Sequence, residues 1–105
     1  MNRAVEAEQM EAAAERASAL LKTLGHRDRL MILCSLAEGE RAVGGLAKEL
    51  GLAQSSLSQH LARMRAEGLV VTRREAQSIY YQLSDGEVRD VIESLYRIFC
   101  PAPDR

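Results

Sequence analysis

A chain of 105 residues, 47% hydrophobic and 28% charged, has the size and composition of one globular domain with a modest core. No run approaches the ~20 consecutive apolar residues of a membrane span. The opening MNRAVEAEQMEAAAER alternates charge with alanine, unlike a secretory leader, so a cytoplasmic protein is expected. A net charge of -1 announces no polyanionic partner, and any such partner must be met by a locally basic surface.

Along residues 7–24, Met10, Ala13, Ala17, Leu20, Leu21 and Leu24 recur at helical spacing, and Gly25 ends the run. A second helix is expected over about 28–37, with Leu30, Leu33, Cys34 and Leu36, stopping at Gly39. Two short helices follow, over about 43–50 and 54–66, with one glycine turn between them at Gly51. Leu46, Ala47 and Leu50 share the inner face of the first; Leu57, Leu61 and Met64 share that of the second. The spacing is that of a helix-turn-helix. Gly68 closes it, and the β-prone runs Val70 to Arg74 and Ser78 to Leu83 flank a polar tip, Glu75-Ala76-Gln77, as a hairpin does. A last helix over about 85–99 carries Val88, Val91, Ile92, Leu95 and Phe99 on one stripe, before Pro101 and Pro103.

The order α-α-α-α-β-β-α predicts a mainly α fold with a small β-hairpin, a winged helix-turn-helix. It spans 1–105 as one domain, with 1–8 and 101–105 expected to be flexible. The first and last helices carry more apolar surface than a core of this size requires, so a two-fold homodimer through those helices is expected. Two recognition helices about 34 Å apart would then meet successive major grooves of double-stranded operator DNA.

The helix over 54–66 has the side chains for that work. Gln54 and Gln59 carry amides able to pair bidentately with adenine. Ser55, Ser56 and Ser58 can donate to phosphates, and Arg63 can grip the backbone. His60 has two readings, a phosphate contact or a structural histidine bonded to a backbone group. In the wing, Arg73, Arg74 and Gln77 form a polar, cationic tip suited to phosphate or minor-groove contact; the competing reading of the two arginines is a solvated edge that blocks aggregation. Arg27 and Arg29, near the start of the second helix, could also reach phosphate, an expectation weakened by Asp28 between them. From Lys48 to Arg74, five cations (Lys48, Arg63, Arg65, Arg73, Arg74) against Glu49 and Glu67 leave +3, whereas the acidic surplus lies in the terminal helices. Tyr80 and Tyr81 face opposite sides of the hairpin and are assigned no DNA role.

The segments GHRDRLMIL, LAKELGLAQSSLSQHLARMRAEGLV and RREAQSIYYQL resemble the ArsR family of small winged-helix repressors, over about 17–100. The resemblance implies a homodimeric operator-binding transcriptional regulator, usually a repressor, released by a chemical signal. The chain departs from the family pattern in three places. Arg41-Ala42-Val43 stands where arsenic-type sensors carry Cys-x-Cys, and no histidine follows His60 to supply the last-helix ligands of zinc-type sensors. No metal is therefore assigned at either place. Ala53 replaces the usual hydroxyl cap of the recognition helix, leaving Ser55 or Ser56 to take over part of the capping.

Cys34 and Cys100 are the two thiols, 66 residues apart. A cysteine on an apolar helical face is ordinarily a small core residue, and that reading fits Cys34 taken alone. Cys100, beside a proline at the end of a helix, has little packing reason to be cysteine. In a winged helix of this order the second and last helices can lie side by side. Cysteines at these two places resemble the persulfide-sensing branch of the family, the BigR and SqrR type. That resemblance implies that reactive sulfur species bridge Cys34 to Cys100 as a disulfide or polysulfide and that operator affinity falls. Neither a cofactor nor an enzymatic activity is implied. Three alternatives stay open. One is an HlyU-type regulator or anti-repressor without persulfide selectivity. A second is a metal sensor with the two thiolates as an incomplete ligand set. The third, a thiol oxidoreductase, lacks a C-x-x-C motif.

Overall fold

In a computed structural model, the structure describes residues 6–100. The elements run α1 (Ala7–Leu24), α2 (Arg27–Glu38), β1 (Arg41–Ala42), α3 (Val43–Leu50), α4 (Gln54–Ala66), β2 (Val70–Glu75), β3 (Ser78–Leu83) and α5 (Glu87–Phe99). This is the winged helix-turn-helix order expected from the sequence, with one further strand. Of the terminal segments expected to be flexible, 1–5 and 101–105 lie outside the described residues.

Local chemistry sets the boundaries. The Gln9 side chain accepts from the backbone N–H of Glu6 at 3.1 Å and starts α1. The imidazole Nδ1 of His26 accepts from the Asp28 N–H at 3.1 Å and caps α2, satisfying one of the donors a helix start leaves open. Between α3 and α4, Gly51 adopts φ 67 and ψ 33, a left-handed conformation that glycine enters at little cost. That residue makes the tight corner of the helix-turn-helix. α5 starts two residues later than the sequence suggested, because Gly86 at φ 102 cannot be helical.

The core gathers Leu33 and Leu36 of α2, Leu46 of α3, Leu57, Leu61 and Met64 of α4, Val70 and Leu83 of the hairpin, and Val88 and Ile92 of α5. Ile32, outside the apolar set expected on α2, is fully buried with them. The hairpin pairs Val70 with Leu83 and Glu75 with Ser78, so the tip narrows to Ala76 and Gln77. Ala76 sits at φ 57, an uncommon conformation for a residue with a Cβ. β1 adds to the free side of β3, giving the antiparallel order β1-β3-β2 with Arg41 opposite Tyr81 and Ala42 opposite Tyr80. Two residues carry no period, so β1 leaves no trace in the hydrophobic pattern.

Candidate nucleic-acid interface and thiol pair

α4 turns Leu57, Leu61 and Met64 inward and leaves Gln54, Ser55, Ser56, Ser58, Gln59 and Arg63 exposed. The expected reading face is therefore one continuous polar surface. The capping expected of Ser55 or Ser56 is not seen. Ala53 is the cap residue and no side chain accepts at the helix start, so its N–H groups stay open to an anion. His60 is half-buried, and its ring meets that of His26 edge to face with centroids 4.8 Å apart. Burial holds the His60 imidazole below its usual pKa, helped by His26, Arg29 and Arg63 and opposed by Asp28.

The arginines divide into committed and free. Arg73 donates to both carboxylate oxygens of Glu40, at 2.8 and 2.9 Å, and to Glu75 at 3.2 Å, while its guanidinium lies 4.8 Å from the centroid of the Tyr80 ring. Hydrogen bonding to Arg73 holds the Glu40 carboxyl below the usual carboxylate range, and the same fork keeps the guanidinium more firmly protonated. Arg63 pairs with Glu67 at 3.2 Å, and Glu67 also accepts from Thr23 at 2.7 Å. Arg29 is spent on the carbonyl of Thr23 at 2.8 Å, at the end of α1. Among the described residues, Lys48, Arg65 and Arg74 form no ion pair. Of the two wing arginines Arg74 is thus the immediately available cation, and Arg73 must first leave Glu40.

A second set of side chains lies on the seam where α2 packs against α5. Cys34 is half-buried on α2, and Cys100 is exposed at the C-cap of α5. Burial pushes the Cys34 thiol up, and the charges of Cys100 and Glu38 push it further. Cys34, Ala37 and Glu38 face Ile92, Glu93 and Tyr96 across a cavity of 270 Å3.

Residues 26–72 match the family of bacterial regulatory proteins called the arsR family. The transcriptional activator HlyU of Vibrio cholerae is 48% identical over 95 residues, covering 90% of this chain and 88% of that protein. The biofilm growth-associated repressor of Xylella fastidiosa is 44% identical over 93 residues, covering 89% and 82%. The solved structure of reduced HlyU from Vibrio cholerae superposes with a TM-score of 0.85, covering 90% of this chain and 99% of that one. The chain belongs to the ArsR family. It is a DNA-binding transcriptional regulator of that family, and its relatives regulate transcription rather than catalyse reactions.

Within this ArsR-family frame, three side chains take up contacts around the candidate site that no sequence pattern indicates. Glu40 is 33 residues from Arg73, and no local pattern joins them. Glu49 ties three elements: it accepts from Ser35 of α2 at 2.8 Å and from Arg41 of β1 at 3.2 Å, bonds that hold its carboxyl below the usual range. His26 carries no sequence signature of a role, yet its imidazole, the Asp28 carboxylate and His60 each offer a ligand atom within 4.8 Å of the others. The hint available in the sequence was the pair of histidines itself, since the chain has two in all.

Proposed function

We propose that this ArsR-family regulator is a homodimeric repressor controlled by its two thiols. It holds operator DNA while Cys34 and Cys100 are reduced and releases it when reactive sulfur species bridge them. Its reading residues would be Gln54 and Gln59 at base edges, with Ser55, Ser56, Ser58, His60 and Arg63 on phosphates. Arg73, Arg74 and Gln77 would follow from the wing, all in the cytoplasm where DNA and reductant meet. The observation that carries the reading is that α2 packs against α5, with Cys34 half-buried on the one and Cys100 exposed at the end of the other.

The exposed Cys100 is the first thiol a donor meets. Its thiolate takes the terminal sulfur of a persulfide RSSH, expelling RS⁻ and leaving Cys100–S–SH. The Cys34 thiolate then attacks the Cys100 sulfur, HS⁻ departs, and a disulfide joins the helices. A donor with one more sulfur leaves Cys100–S–S–SH. Attack on its inner sulfane sulfur expels HS⁻ and closes a trisulfide, which spans a wider gap than the roughly 4.4–6.8 Å between Cα atoms that a plain disulfide allows. In either case a thiol pair in a reducing compartment makes a transient, regulatory bond.

Two features support transmission to DNA. Ser35, beside Cys34, is bonded to Glu49 on the first helix of the helix-turn-helix, so a displaced α2 pulls on α3. On α5, Tyr96, Ile98 and Phe99 are exposed, Phe99 at 76%, which suits a dimer seam. A bridge that shifts α5 would then change the spacing of the two recognition helices. A coupling of about 1–3 kcal/mol alters operator affinity roughly 5- to 150-fold.

The test is operator affinity of Cys34→Ser and Cys100→Ser proteins with and without a persulfide donor. Each variant is expected to bind DNA and ignore the donor. A response that survives in either one removes the bridge and leaves a regulator of the HlyU type without sulfur selectivity. Peroxide and oxidised glutathione in parallel, read by intact mass, count the sulfur atoms in the bridge.

A further inference from the structure

His26 and His60 belong to neither the cavity beside Cys34 nor the exposed polar row of α4. His26 is the cap of α2, and His60 sits on α4 directly after Gln59. Their rings stand edge to face, and no hydrogen bond joins them among the described residues. The Asp28 carboxylate completes a trio in which each residue offers one ligand atom within 4.8 Å of the other two. Around an ion with bonds of about 2.0–2.1 Å, ligand atoms lie roughly 3.3–3.4 Å apart. The trio therefore needs to close by at most about 1.5 Å, within the reach of side-chain rotation at partly exposed positions. Two imidazoles with one carboxylate suit the borderline divalent ions rather than magnesium or calcium, which favour all-oxygen sets.

We propose that His26, Asp28 and His60 form a three-ligand site for a divalent ion of the Zn2+ class, with the remaining position open to water or to a phosphate oxygen. The site uses neither cysteine and stands apart from the thiol reading. Its immediate competitors are visible. Arg27 pairs with Asp28 at 3.4 Å, and the His26 Nδ1 accepts the Asp28 N–H at 3.1 Å. A neutral imidazole has one acceptor nitrogen, so coordination by His26 gives up that helix cap. The ion exchanges a cap on α2 for a bridge from α2 to α4, and affinity in the micromolar range rather than tighter is expected. Because His60 adjoins Gln59, the bridge pins the recognition helix beside its base-reading side chain.

The experiment uses the untagged full-length protein carrying Cys34→Ser and Cys100→Ser, titrated with Co2+ and followed by its visible d–d bands, then competed with Zn2+. One ion per protomer is expected. His26→Gln or His60→Gln should each weaken binding tenfold or more, and Asp28→Asn by a smaller factor, with thermal melts showing every variant folded. Binding that is absent from the double-serine protein, or that persists undiminished in His26→Gln or His60→Gln, overturns the site. An ion taken up only when the cysteines are present belongs to the thiols and overturns it equally.

Discussion

The helix-turn-helix and the terminal helices read alike in sequence and end differently. α4 places an apolar residue every three or four positions, and Leu57, Leu61 and Met64 are fully buried. α1 and α5 repeat the same spacing, yet Leu21 is 60% exposed, Ile98 67% and Phe99 76%. Periodicity declares which face of a helix is apolar, but what covers that face is a separate fact. For α4 the cover is the same chain; for much of α1 and α5 it is not. An exposed apolar surface on two helices at once marks a place where another molecule completes the fold.

The sharpest way to break the comparison is to cut one apolar side chain from each region. Leu61→Ala should cost about 2–5 kcal/mol, since it opens a cavity that the neighbours cannot fully close. In a domain of this size each kcal/mol lowers the melting temperature by roughly 4–8 °C. Ile98→Asp should cost the isolated protomer far less, because its side chain is already in water. Its effect should fall on assembly: sedimentation at micromolar protein is expected to show a dimer for the parent chain and a monomer for Ile98→Asp. If Ile98→Asp melts as badly as Leu61→Ala while the sedimentation stays unchanged, the two regions do not differ as argued.

The contrast also explains how much was legible in advance. The element order and the exposed polar face of α4 follow from local periods and from glycines such as Gly51, whereas Glu75, expected in the hairpin tip, pairs with Ser78 as the last residue of β2. β1 could not be read this way, because a two-residue strand exists only by virtue of Tyr80 and Tyr81 across from it. The wing shows the same limit at the level of charge. Arg73 and Arg74 are neighbours of one type in sequence, but folding brings Glu40 to Arg73 alone. The expected pairing of Cys34 with Cys100 rests on family resemblance, and the His26–His60 contact leaves no trace in the sequence because a cap and a mid-helix residue share no pattern.

Releasing Arg73 sharpens the difference between the two wing cations. Glu40→Gln removes the charge that holds the guanidinium fork and should return Arg73 to the phosphate-seeking surface. Operator affinity at moderate salt is expected to rise a few-fold, and the slope of log affinity against log salt should steepen by about one, the signature of one added phosphate contact. Arg74→Ala should move the slope by a similar amount in the opposite direction. A Glu40→Gln protein with the parent slope would mean that Arg73 already leaves Glu40 whenever DNA is bound.

The smallest effect expected belongs to His60, which lies between the buried and the exposed regions. Its folded-state pKa is depressed below the ordinary 6.5 by burial and by the cations around it. As pH falls through 6.5 the unfolded chain takes up the proton first, so the unfolded state binds more protons and stability declines. The stability tied to neutral His60 is therefore full above the unfolded value near 6.5 and is lost as pH falls through the lower folded-state value. Glu40 and Glu49, whose carboxyls are held below 4.5, lose their contribution mainly below that window and are common to both proteins, so they cancel in the comparison. Measured with a chelator present to keep divalent ions out, the melting temperature should fall by about a degree or two more between pH 7 and 5 in the parent chain than in His60→Gln. Equal slopes would show that the ring beside His26 stays as well solvated as in the unfolded chain, and the contact between α2 and α4 would then be looser than an edge-to-face pair at 4.8 Å implies.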